Sequence, residues 1–192
     1  MINYQLQLDE YIKNLTSKPK LLLHSCCAPC SSYVLSYLTE FFDVTLFYYN
    51  PNIFPKAEYE KRADEQKRLC KLMNVPYIEG EYDTDNFYSA VKGFETEKEG
   101  GARCTKCFEL RLEKTAHYAK KMGIDLIATT LTVSPHKNAQ LINSLGKQIA
   151  EHTGVKWLPS DFKKRNGYLT SIKLSNEYSL YRQNYCGCEF SL

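Results

Sequence analysis

Seven of the eight cysteines in this 192-residue chain fall in three tight groups: Cys26, Cys27 and Cys30; Cys104 and Cys107; and Cys186 with Cys188. Only Cys70 stands alone, inside a charged helical segment where a small apolar side chain is the simpler role. Thiolates two or three residues apart point at one metal where a turn or helix start lets the sulfurs converge. Four of them suit tetrahedral zinc or an iron-sulfur cluster. A disulfide framework fits poorly, because Met1 to Asn14 alternates polar and apolar residues without the apolar run of a secretory signal. A reducing, cytoplasmic setting is therefore expected, where thiols stay free unless they are catalytic or bind metal. No uncharged stretch approaches the roughly 18 residues needed to span a bilayer, so no membrane segment is expected.

Three readings compete for these thiols. A structural zinc site uses four ligands and leaves three of the seven clustered cysteines over. A thioredoxin-like thiol-disulfide oxidoreductase would use Cys27-Ala28-Pro29-Cys30, which follows a strand and opens a helix whose dipole lowers a thiol pKa. It leaves Cys26 and both other groups unexplained. Surplus thiolates favour redox chemistry at a metal. For Cys186-Gly187-Cys188 two readings stay open: a strained, easily reduced disulfide, or two more metal ligands with Gly187 allowing close backbone approach.

Hydrophobic periodicity supplies the frame. Short apolar runs at Leu21 to Leu23, Val44 to Tyr49, Tyr77 to Glu79, Leu126 to Thr129 and Val155 to Leu158 read as strands. Between them, helices are expected after Ser32, over Lys56 to Met73, over Asp85 to Val91, after Arg103 and over Asn138 to Glu151. In the fourth of these, Phe108, Leu112, Ala116 and Ala119 share one face at spacings of four, four and three. Strands alternating with helices imply right-handed crossovers. The expected class is α/β: a Rossmann-like (HUP-type) parallel sheet of about five strands flanked by helices, with an irregular cysteine-containing C-terminal segment. One domain, residues 1–192, is the assumption for this length. The loops leaving the carboxyl ends of the strands then carry Cys26 to Cys30, Asn50 to Pro55 and Thr129 to Asn138.

Charge is uninformative: 25 basic against 22 acidic residues give a net +3, which permits RNA binding without arguing for it. Thr129 to Asn138 presents hydroxyls and a lysine at an expected helix start, either an anion site or ordinary capping by Ser134 with Pro135 in the first turn. Lys163, Lys164 and Arg165, with Tyr178, Tyr181, Arg182, Gln183 and Tyr185, either grip phosphates and stack on bases or form a solvated loop with half-buried tyrosines. His24 ends a buried strand and reads first as a hydrogen-bonded core histidine.

Together these segments resemble the epoxyqueuosine reductase QueH family, the cobalamin-independent enzymes of tRNA queuosine synthesis. The runs that carry the resemblance are Leu23-His24-Ser25-Cys26-Cys27-Ala28-Pro29-Cys30, Asn50-Pro51-Asn52-Ile53, Glu58-Tyr59 with Arg62, Arg103-Cys104-Thr105-Lys106-Cys107-Phe108, Arg111-Leu112, Thr129 to Asn138, Asp161-Phe162-Lys163-Lys164, and Leu180 to Cys188. The resemblance implies two-electron reductive deoxygenation of epoxyqueuosine to queuosine at the wobble position of tRNA, fed by an external electron donor. It implies a 4Fe-4S cluster on Cys26, Cys27, Cys104 and Cys107. Cys186 and Cys188 would be a redox-active catalytic pair or, with Cys30, ligands of one additional iron acting as a Lewis acid. Asp161, His24 and Tyr181 are the candidates for proton donor; oligomeric state is not written in the sequence.

Overall fold

The structure, a computed structural model, describes residues 2–192. Five parallel strands, β1 (Lys20–Ser25), β2 (Asp43–Tyr48), β3 (Tyr77–Glu79), β4 (Leu126–Thr129) and β5 (Lys156–Trp157), lie in the order β3-β2-β1-β4-β5. Seven helices accompany them: α1 (Tyr4–Lys13), α2 (Ala28–Leu38), α3 (Lys56–Leu72), α4 (Thr84–Val91), α5 (Ala102–Met122), α6 (Ala139–Thr153) and α7 (Gly167–Glu177). The α/β class and the parallel sheet are as expected from the sequence.

Period-two alternation sorts the strand residues between two cores. Leu21, Leu23, Val44, Leu46 and Tyr48 face one side with residues of α1, α2 and α3, while Leu22, Phe47 and Ile127 face the other with residues of α5 and α6. The three leucines of β1 are completely buried, each contributing about 2 kcal/mol relative to exposure. Gly123 and Gly154 end α5 and α6 in the left-handed conformation with basic or histidine side chains in the last turn.

Four expectations shift. The polar N-terminal segment holds α1, which buries Leu8 in the first core; Met1 lies outside the described residues. The C-terminal tail is irregular only after α7, which packs on α2. A Cβ on Gly167 would collide with the Phe162 carbonyl and the Tyr33 ring, so α7 can start only with glycine. Ser134 does not cap α6. Thr130–Val133 forms a short 3-10 turn, and Asn138 is the cap, accepting from the amides of Gln140 and Leu141 at 2.9 and 3.2 Å. Finally, β5 shrinks to two residues.

Candidate metal centre

Chain order reverses between β1 and β4, so the loops leaving their carboxyl ends diverge and open a crevice. Cys26 and Cys27 directly follow β1, and the Cys26 amide donates to Thr130 Oγ1 beyond β4 at 3.2 Å. Cys30 stands in the first turn of α2, so the sulfurs of Cys26, Cys27 and Cys30 all lie within 4.8 Å of one another, with Cys26 and Cys27 3.7 Å apart. No side chain caps α2 at Cys27, which leaves the positive end of the helix to the thiols. Hydrogen bonds from the Cys27 and Cys30 thiols hold Cys26 well below the ordinary thiol value, helped by Lys137 and Arg111. The same sharing pushes Cys27 up to about 12 and Cys30 well above its usual value.

Cys104 and Cys107 occupy the first turns of α5. The Gly100 amide donates to Cys104 Sγ at 3.2 Å, and Arg111, one helical turn on, donates to Cys107 Sγ at 3.8 Å. Cys107 packs with Cys188, Phe87 and Val91 in a small apolar cluster, and burial pushes its thiol up to about 11. The C-terminal thiols arrive on a clamped strand of chain. Arg62 of α3, paired with Glu58 at 2.7 Å, donates to the carbonyls of Cys186 and Tyr185 at 3.1 and 3.4 Å. The Phe54 amide donates to the Gly187 carbonyl at 2.8 Å. All eight cysteines are free thiols.

A cavity of about 340 Å³ opens here, walled by Cys26, Cys27, Cys30, Cys186, Arg111 and Lys137, with Arg182 among the residues around it. Burial opposes the Lys137 ammonium, yet the thiols of Cys186 and Cys26 outweigh it and raise its pKa. Of the seven grouped cysteines, the structure gathers Cys26, Cys27 and Cys30 most tightly. Cys107 and Cys188 share one apolar cluster and do not line the cavity, and Cys104 borders the second core, as Cys26 does.

None of the three proton-donor candidates lines the cavity. His24 is fully buried between Thr129 Oγ1 at 2.9 Å and the Tyr49 carbonyl at 3.2 Å; burial, then Arg111, lowers its pKa to about 3. It is a neutral core histidine. Asp161 is paired with Lys163 at 2.9 Å, and the Tyr181 hydroxyl donates to Glu58 at 3.1 Å. Arg165 of the basic trio pairs with Asp9. Tyr181 is tied to α3, with Lys61 3.5 Å from its ring centroid, whereas Tyr185 stacks with Arg62 and lines the cavity. Sequence reasoning missed the wall residues of α7, Tyr168 and Ser171, and the burial of Arg111. Its i+4 spacing to Cys107 is the signal that could have placed Arg111 against that thiol. No helix among the described residues is long and apolar enough to cross a membrane.

A profile of the epoxyqueuosine reductase QueH family matches residues 21–192. The chain is 45% identical to the epoxyqueuosine reductase QueH of Staphylococcus epidermidis, covering 100% of this chain and 87% of that protein. It is 41% identical to the QueH of Thermotoga maritima, covering 90% of each. Among solved structures, the U34-tRNA thiolase NcsA from Methanococcus maripaludis, described with its [4Fe-4S] cluster, superposes with a TM-score of 0.60 at 12% identity. That match covers 98% of this chain and 67% of the thiolase and marks a shared fold. With a family match over residues 21–192 and relatives this similar along almost the whole chain, this protein belongs to the epoxyqueuosine reductase QueH family.

Proposed function

We propose that this protein is an epoxyqueuosine reductase: it removes the epoxide oxygen of epoxyqueuosine at the wobble position of tRNA, giving queuosine and water. Both carbon-oxygen bonds of the epoxide break and a carbon-carbon double bond forms, consuming two protons and two electrons from an external donor. The observation that carries this reading is the gathering of three thiols at the end of β1, beside a cavity that Cys186 also lines, in a chain 45% identical to a reductase of that name.

The residues suit a thiolate-held iron centre. Three sulfurs lie within 4.8 Å of one another, and the cations Arg111 and Lys137 stand against them, so the cavity favours negative charge. In our assignment Cys26, Cys27, Cys104 and Cys107 hold a 4Fe-4S cluster. Cys186 and Cys188 form a redox pair or join Cys30 around one additional iron. A bound cluster supplies electrons singly, and a further iron would supply a Lewis acid. The chain's own residues do the rest. Lys137 and Arg182 attract the phosphate backbone of the RNA, the enclosing wall of α2, α7 and the tail keeps water from the nucleoside, and Arg62 fixes Cys186 in place through its carbonyl.

The test is anaerobic purification with iron, sulfide and zinc analysis of one sample, followed by incubation with epoxyqueuosine-containing tRNA and a one-electron reductant. About four irons and four sulfides per chain, with queuosine found by nucleoside mass spectrometry, are expected. Zinc alone would point to a structural RNA-binding module, and a metal-free dithiol to a thiol-disulfide oxidoreductase; either result sinks the reductase reading.

A further inference from the structure

Three arginines of this chain are almost fully buried, each 2% exposed, and their partners differ. Arg62 has the Glu58 carboxylate at 2.7 Å. Arg103 donates to the carbonyls of Glu95, Glu97 and Phe190. Arg111 has no carboxylate partner among the described residues: Nη2 donates to Asn50 Oδ1 at 2.6 Å, Nη1 to Cys107 Sγ at 3.8 Å, and Nε to nothing. A desolvated cation without a counter-ion is costly; Arg111 donates to Cys107 and shares the cavity wall with Cys26 and Cys186, so a thiolate-held centre on those sulfurs would supply the missing negative charge.

The arrangement is also rigid. Asn50 is fully buried at the end of β2, and its Nδ2 donates to the Ser25 carbonyl, next to Cys26, at 2.9 Å. Ser25, Asn50, Arg111 and Cys107 therefore form one hydrogen-bonded bridge between the β1 loop and α5, two of the three cysteine-bearing segments. The planar guanidinium spans the amide oxygen and the sulfur at once, which a lysine ammonium on one point cannot do.

We infer that Arg111, held by Asn50, is a positioning residue that sets the reduction potential of the metal centre by fixing a desolvated positive charge at the Cys107 sulfur. The inference rests on the iron-sulfur reading given above. Each electron accepted from a reductant adds one negative charge to the centre, and a buried cation hydrogen-bonded to a ligand sulfur stabilises that state. Arg111 thus makes the centre easier to reduce.

Dithionite titration of the anaerobic holoprotein, followed by absorbance and electron paramagnetic resonance with iron and sulfide counted in each sample, tests this. Arg111→Gln removes the charge and lowers the midpoint by at least a tenfold change in the reduction equilibrium, about 59 mV for one electron. Asn50→Asp keeps the Arg111 side chain but sets a carboxylate against it and removes the Nδ2 donor to Ser25, and it lowers the midpoint in the same direction. Arg111→Lys keeps the charge and recovers part of the shift. Metal-replete Arg111→Gln and Asn50→Asp proteins with the unmodified midpoint overturn the inference, as does Arg111→Lys shifted as far as Arg111→Gln. If Arg111→Gln takes up no iron, Asn50→Asp decides alone, and an unmoved midpoint there overturns it. An unmodified protein without the centre fails earlier and overturns the function reading itself, whereas an intact centre with unmoved variants overturns only the role of Arg111.

Discussion

The Arg62 guanidinium donates to the Cys186 carbonyl at 3.1 Å, so a residue in α3 holds a thiol-bearing segment 124 positions further along the chain. The same side chain lies 4.9 Å over the Tyr185 ring and keeps Glu58 as its ion-pair partner. Because Arg62 and Glu58 are 2% and 13% exposed, removing one partner strands the other. Arg62→Met should cost about 3 kcal/mol in urea unfolding of the metal-free protein. It should also free the tail after Tyr178 for limited proteolysis; the added substitution Glu58→Gln should recover part of the stability. A tail as protected as before would remove Arg62 from this role.

Gly187 sits at φ +133°, and a Cβ there would lie 3.1 Å from both Arg62 Nη1 and Ile53 Cγ1. Gly187→Ala should therefore cost about 1–3 kcal/mol and shift the neighbouring thiols. Gly93 has φ +85° with nothing within 4 Å of its Cβ position; Gly93→Ala should cost about 1 kcal/mol or less and leave iron content unchanged. Thermal unfolding and iron counting on the pair separate backbone strain from crowding at the site.

Glu65 accepts from the Tyr181 amide at 2.7 Å and from Arg68 at 2.8 Å. Its pKa is lowered, first by the Arg68 hydrogen bond and also by the Tyr181 amide, with burial opposing. A carboxyl depressed in the folded state gives its stabilisation in full above the ordinary glutamate range and loses it as pH falls through the depressed folded value. Hydrogen exchange at the Tyr181 amide should accelerate relative to the rest of the core as pH falls below 4.3, the ordinary glutamate value. Glu65→Gln should flatten that dependence.

Cys70 is 1% exposed in the first core, its thiol pushed up to about 11 by burial, with the Gln66 amide donating to its sulfur at 3.5 Å. Cys70→Ala should keep the full iron content and cost about 1 kcal/mol. Cys26→Ser removes one of the three sulfurs gathered within 4.8 Å at the β1 loop and should bleach the protein. Equal iron in both variants would contradict the assignment of the centre to the β1 loop.

Much of the framework was legible in the sequence because its signals are local. Leu21, Leu22 and Leu23 alternate between two cores as a strand buried on both faces must, and the α5 face of Phe108, Leu112, Ala116 and Ala119 is buried as its spacing requires. Two helices were hidden for a physical reason. α7 buries Gly167, Ser171 and Ser175 and leaves Leu169 61% exposed, so its inward face is made of small residues and no apolar period betrays it. In α1 only Gln5 and Leu8 are buried. The start of α6 at Asn138 was legible from its apolar spacing; only the alternative of capping by Ser134 with Pro135 failed, because the amides of Gln140 and Leu141 are satisfied by Asn138, four residues on.

The sequence by itself determined the alternating α/β order, the thiol groups and their places at strand ends and helix starts, since each depends on residues a few positions apart. Only the tertiary structure decided which thiols meet across the chain: Cys107 with Cys188, and Cys186 on the wall of the cavity beside Cys26, Cys27 and Cys30. It also decided that Arg62 and Arg111, two basic residues among 25 in the sequence, are buried at the site. Those pairings join segments from β1, α3, α5 and the C-terminus. They arise from the sheet order and from desolvated guanidinium contacts, neither of which leaves a periodic trace in the chain.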